Sequence, residues 1–297
     1  MSVLTKIRFL IEFAILRSII GFVRLFPLDT AVAMSANIWG ALAPRGRRHQ
    51  RALENLERAF PEKTDEEREK IARAMWRNLG RVMAEMMLLD RILDQPERVE
   101  MIDDYVTERY AGKMGSAICV SLHTGNWELA MWPMAQAGIQ AAAVYRLVNN
   151  PYVDLYLRSM RKKLYPDGLF AKAGGMKAGQ DTARMIGSYV KQGGRLAFLC
   201  DLYDRKGVAV PFFGHDAKTN PFPAMLARRT GSRIWMGRCI RVGEKSNFKV
   251  EIIELRVPRS DDNRADIEEI LATMQKQFEE WIREYPEQWM WSNRRWK

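Results

Sequence analysis

Ala117-Ile-Cys-Val-Ser-Leu-His123-Thr-Gly-Asn-Trp-Glu128 is an apolar run that ends on a histidine, turns through Thr124-Gly125 and leads into an amphipathic stretch. Such a run reads as a buried strand followed by a helix. The pattern repeats downstream, with strands expected at Ala141 to Tyr145, Leu196 to Cys200, Arg233 to Ile240 and Asn247 to Leu255. Helices are expected near Trp127 to Ala137, Tyr152 to Leu164, Met176 to Gln192, Pro221 to Arg229 and Arg264 to Tyr285. This alternation predicts an α/β fold: a layered, mostly parallel sheet flanked by helices.

In an open α/β sheet, ligands bind beyond the carboxyl ends of the strands. Three expected strands end there in polar residues: His123, Arg146 and Asp201. Together they bring a base, a cation and a carboxylate to one edge, although a polar residue is also the ordinary way to leave a strand. His123 and Glu128 lie five residues apart, which on one helix would separate them by about 140°. A corner at Thr124-Gly125 lets them meet, since Gly tolerates unusual dihedrals and Asn126 suits a helix N-cap. Glu128 in the first turn would then be favoured as the anion, able to orient the imidazole and stabilise its charge. A histidine that merely closes a strand fits the spacing equally well. The His-Glu-x-x-His pattern of zinc proteases is absent.

Towards the N-terminus the composition changes, and residues 1–100 read as a helical region preceding an α/β region at 101–297. Residues 1–26 are strongly apolar yet contain Lys6, Arg8, Glu12, Arg17 and Arg24, too many charges for a clean membrane span. Lys6, Arg17 and Arg24 fall within about 20° of one another on a helix, a basic stripe on a broad apolar surface. This predicts a membrane-associating helix lying in a bilayer interface, or alternatively a helix that packs on a soluble core. Thr64 and Glu67 form a capping box ahead of Ile71, Met75, Leu79, Val82, Met83 and Met86 at helical spacing. That methionine-rich stripe reads as core. Arg45, Arg47, Arg48 and Arg51 form a basic cluster that either meets lipid phosphates or is simply solvated.

The 297 residues are 47% apolar and 28% charged, with 47 Lys and Arg against 36 Asp and Glu, a net charge of +11. The composition excludes disorder, and the charge calls for an anionic partner. No nucleic-acid motif accompanies it, so nucleic acid is not expected. Cys119, Cys200 and Cys239 lie far apart in apolar runs and read as buried reduced thiols. With only three histidines and no closely spaced Cys/His pairs, neither a metal site nor any other cofactor is expected.

His-Thr-Gly-Asn-Trp-Glu resembles the H-x4-(D/E) motif of the glycerolipid acyltransferase superfamily, and its glutamate form is similar to the late lauroyl/myristoyl acyltransferases of lipid A. Asn55 to Pro61, Tyr145 to Pro151, Val210 to Gly214 and Pro286 to Trp296 are similar to further blocks of that family, in the same order. The resemblance implies an acyl-carrier-protein thioester as donor and a phosphorylated glucosamine lipid as acceptor, at the cytoplasmic face of the bacterial inner membrane. It implies His123 as general base with Glu128 as its orienting partner, and Arg146, Arg161 and Asp201 on the substrate side. Leu202 stands where the family commonly has glutamine, and Pro221-Phe-Pro223 where it has small residues, departures that touch the acceptor more than the reaction. The Trp-rich tail with Arg294 and Arg295 reads as a membrane-interface element or as part of the frame of the site, and Trp289 and Trp291 read equally as core. Two other readings stay open: a superfamily acyltransferase acting on a glycerophospholipid or another lipid, and a non-catalytic lipid-binding membrane protein. Acyl chain length and oligomeric state are not legible.

Overall fold

The computed structural model describes residues 2–102, 115–172 and 176–296. Five helices lead the chain: α1 (Val3–Val23), α2 (Leu28–Leu42), α3 (Arg47–Ala59), α4 (Asp65–Met87) and α5 (Leu89–Leu93). The capping box at Thr64 and Glu67 is formed and starts α4 where the sequence predicts. One face of α4 is core, with Met75, Leu79 and Val82 buried. Met83 packs against that core and also lines a cavity, and Met86 lines the cavity as well.

The strands are β1 (Val99–Met101), β2 (Ala117–Ser121), β3 (Ala142–Arg146), β4 (Gly168–Lys172), β5 (Arg195–Leu199), β6 (Val208–Phe212), β7 (His215–Thr219), β8 (Arg233–Arg241) and β9 (Phe248–Leu255). Seven of them form one sheet in the order β1-β9-β8-β2-β5-β3-β4. All of its pairings are parallel except β8 with β9, so the fold is an α/β layered sheet, mostly parallel, as the alternation predicts. Between and after the strands run α6 (Trp132–Gln136), α7 (Pro151–Met160), α8 (Met176–Lys191), α9 (Phe222–Thr230) and α10 (Asn263–Glu284). Strands β1 and β4 and the β6–β7 hairpin were not expected. The hairpin turns on Phe213 and Gly214, both at positive φ, the two-residue geometry that matches strand twist.

The two sheet faces bury different cores. Ile118, Val120, Leu196, Phe198, Ile234 and Met236 pack with residues of α3, α4 and α10 and with Trp289 and Trp291. Across the sheet, Ala117, Ala143, Ala197, Trp235 and Val250 pack with Leu129, Met131 and Met134.

On helix α1 two of the three residues of the basic stripe, Arg17 and Arg24, contact the protein, while Lys6 is exposed. The Arg24 guanidinium donates two hydrogen bonds to Asp90, at 2.9 and 2.7 Å, and Arg17 stacks 4.5 Å over the Tyr156 ring. The Asn150 amide donates to the Phe9 carbonyl and to Glu12, at 2.8 and 3.0 Å. These polar groups therefore face the protein, while Leu4, Ile7, Ile11, Ile15 and Phe22 are exposed. No helix among the described residues is long and apolar enough to cross a membrane.

Candidate functional site

Gly125 makes the corner after β2. Its φ is +54°, and a Cβ there would lie 1.9 Å from the Cys239 carbonyl oxygen, so both the dihedral and the space demand glycine. A short 3-10 turn, Trp127–Met131, follows it in place of the expected α-helix. Asn126 does not cap that turn, since its amide donates 2.9 Å to the buried Glu85. Glu85 in turn accepts two hydrogen bonds from Arg241, at 2.6 and 2.7 Å, and one from Ser246.

The corner aims His123 at a partner far away in sequence. The His123 Nδ1 lies 2.8 Å from Asp201 Oδ1, and the His123 backbone N–H donates 2.8 Å to Asp201 Oδ2. Asp201 directly follows Cys200 at the end of β5, which pairs with β2 in register, Ser121 opposite Leu199. The two strand ends therefore emerge side by side. Asp201 is completely buried, and its second oxygen also accepts 2.8 Å from the Trp289 indole N–H. Burial alone would raise the Asp201 carboxyl, but the charge of His123 and hydrogen bonds from His123 and Trp289 hold it below the ordinary carboxylate range.

The structure thus departs from the expected pairing. Glu128 directs its hydrogen bonds to Arg161 rather than to His123: Arg161 donates to its two oxygens from Nε at 2.8 Å and from Nη2 at 2.6 Å. Burial pulls the Arg161 guanidinium down, yet Glu128 more than compensates and leaves it above its usual value. Asp201, expected on the substrate side, lies behind His123 and has no surface with which to touch a substrate. Arg146, at the end of β3, is exposed and lines the same cavity as His123, Glu128 and Arg161. The expectation that the Trp-rich tail helps frame the site fits Trp289, but its hydrogen bond to Asp201 had no signal in the sequence.

The cavity encloses about 900 Å³. Part of its floor is one level of the sheet, where Trp235, Cys119, Ala197, Ala143 and Leu169 stand side by side across five strands. Three of these are small, which opens a trough. Met83, Met86, Met131 and Met134 lie along the same cavity, and methionine side chains adapt readily to a flexible apolar ligand. The Cys119 thiol is pushed up to about 12 by burial, so it is no nucleophile at neutral pH.

A buried aspartate paired with a histidine at an apolar chamber suits proton transfer beside a long apolar substrate. The chain is 27% identical over 259 residues to the lipid A biosynthesis palmitoleoyltransferase of Escherichia coli K12, covering 84% of this chain and 79% of that protein. A lipid A biosynthesis acyltransferase of Shigella flexneri matches to the same extent. The lipid A biosynthesis myristoyltransferase of Escherichia coli K12 is 24% identical over 269 residues, 89% of this chain and 79% of that protein. With residues 2–297 matching the family profile as well, the chain belongs to the bacterial lipid A biosynthesis acyltransferases.

Proposed function

We propose that this chain moves a fatty acyl group from an acyl-carrier-protein thioester to a hydroxyl of a lipid A precursor, with His123 as general base. The observation that carries the mechanism is the contact of His123 Nδ1 with the buried Asp201. A carboxylate only accepts, so Nδ1 bears the proton and Nε2 keeps its lone pair for the substrate. Nε2 takes the proton of the acceptor hydroxyl as its oxygen attacks the thioester carbonyl. The carbon–sulfur bond then breaks, and the thiolate leaves with the proton that Nε2 returns. Asp201 stabilises the imidazolium in between.

Glu128 serves the same site through Arg161, as a rigid ion pair on the cavity wall. The trough of small residues and the methionines beside it suit the acyl chain. Arg146 at the edge, unpaired among the described residues, suits a phosphate of the acceptor or the carrier's phosphopantetheine. The outward apolar side of α1 supports association with the cytoplasmic face of the inner membrane, with the helix lying in the interface.

Purified protein supplied with acyl-carrier-protein thioester and a phosphorylated lipid A precursor should release thiol and yield an acceptor heavier by one acyl group. Thiol release without acylated lipid would overturn the transferase reading. Removal of residues 1–26 should release the protein from anionic vesicles, and truncated protein that still sediments with them would exclude α1 as the anchor.

A further inference from the structure

We infer that Trp289 is a positioning residue for the reaction, its indole N–H setting the strength and direction of the Asp201 contact with His123. This rests on His123 being the base. Residues 288–290 of the C-terminal segment run along the catalytic corner. The Thr124 and Trp289 backbones form an antiparallel bridge. The Met290 N–H donates 3.1 Å to the His123 carbonyl, and the Gly125 N–H donates 3.2 Å to the Gln288 carbonyl. Gln288 is itself fixed on the β8 end, accepting from the Arg241 N–H at 2.8 Å and donating to the Arg241 carbonyl at 3.1 Å. Asn78 of α4 donates to the carbonyls of both Gly125 and Gln288. The indole is thus held in place by backbone contacts on either side of it, and it is 1% exposed.

Within that frame Asp201 accepts three hydrogen bonds, two from His123 and one from Trp289. The Trp289 bond falls on Oδ2, leaving Oδ1 to the imidazole Nδ1. It also draws charge from a carboxylate that would otherwise act wholly on the imidazolium. The other ionisable groups near Asp201 are Cys200 and Arg295. Arg295 is fully buried, and its hydrogen bonds go to Thr219, Gln275 and two backbone carbonyls, none to Asp201. On the cavity side the charged residues that share the lining with His123 are Glu128, Arg161, Arg146, Lys172 and Asp204, and the first two neutralise each other. Among the described residues, Trp289 is therefore the one side chain besides His123 itself that donates to the carboxylate behind the base.

The test is Trp289→Phe, together with a chain bearing benzothienylalanine at 289, which keeps the shape of the indole and replaces its N–H with sulfur. Without the donor, Asp201 holds the imidazolium more tightly. The acidic limb of kcat/KM should then move to higher pH by roughly half a pH unit or more, with KM little changed. Because the chain has only three histidines, NMR of labelled imidazoles reads the same shift without any turnover. His123 should titrate at higher pH in both variants, while His49, bonded to Glu69 and Trp76, stays fixed as an internal reference. An unmoved His123 titration in a folded benzothienylalanine protein would overturn the inference, even if activity fell. Wild-type protein that transfers no acyl group would count against the proposed reaction, and the NMR shift would still decide the role of Trp289.

Discussion

Asp201 and Glu128 serve one cavity, and the fold treats them in opposite ways. Asp201 is sealed behind the sheet edge and faces a titratable ring and an indole N–H. Glu128 stands in the cavity wall and faces a permanent cation in a two-bond clasp. A carboxylate beside an imidazole can follow the proton through a reaction, whereas one clasped by a guanidinium is spent on structure. The difference teaches that proximity in sequence is a poor guide to partnership. His123 is five residues from Glu128 and 78 from Asp201, yet strand register joins it to the distant one.

The strongest way to break this comparison is at the base. His123→Ala should lose roughly 10² to 10⁴ in kcat while remaining folded. Asp201→Asn should lose about 10² or more, and, with the anion gone, its acidic limb should move to lower pH, opposite to the Trp289 variants. Equal losses in Asp201→Asn and Glu128→Gln, with both limbs unmoved, would erase the distinction. The same residue links folding to pH. Its carboxyl is held below the ordinary value, so it contributes stability above about pH 4 that is lost as pH falls through its folded value. Melting temperatures of Asp201→Asn should lack that acid-side decline, and an identical decline in wild type and variant would exclude it.

At Glu128 the largest effect should be on stability. Glu128→Gln strands a largely buried guanidinium and should cost about 3 kcal/mol, while Glu128→Gln with Arg161→Gln together should cost clearly less than the two singles added. Denaturant titration of the four proteins measures that coupling. Additive losses would mean that the two side chains are not a unit, and Glu128 would again be free to act on His123.

Much of this was legible beforehand. The helices and five of the strands follow from periodicity, and the polar strand ends named His123, Arg146 and Asp201 together. Strand β1 escaped because it is only three residues long, β4 because it is a five-residue edge strand with no fully buried position, and the β6–β7 hairpin because Pro211 interrupts its apolar run. The His123–Asp201 pairing depends on which strands lie side by side, and no local pattern encodes that order. Trp289 reads as core and is core; only its N–H direction makes it more. Helix α1 shows a related limit, since a helical wheel finds the basic stripe but not which side meets Asp90, Asn150 and Tyr156.

The smallest expected effect falls on neither carboxylate but on the chamber they share. Gly237 of β8 lines the cavity opposite Ile252, and its φ is not in the left-handed region that would demand glycine. A Cβ there would have as nearest neighbours the Glu251 carbonyl oxygen at 3.8 Å and the Ile252 side chain at 3.9 Å. Substitution should therefore fill space without straining the backbone. If the acyl chain occupies this trough, Gly237→Ala should penalise the longest accepted donor mildly and Gly237→Leu more. Displacing one methylene is worth about 0.8 kcal/mol, or roughly fourfold in kcat/KM. Shorter donors should be spared, and the pH limbs should stay fixed because neither carboxylate is touched. Competition among carrier-protein thioesters of different length, read by mass spectrometry of the lipid product, measures the ratio. A uniform loss across all lengths would indicate a damaged site, and an unchanged profile in folded Gly237→Leu would put the acyl chain elsewhere in the cavity.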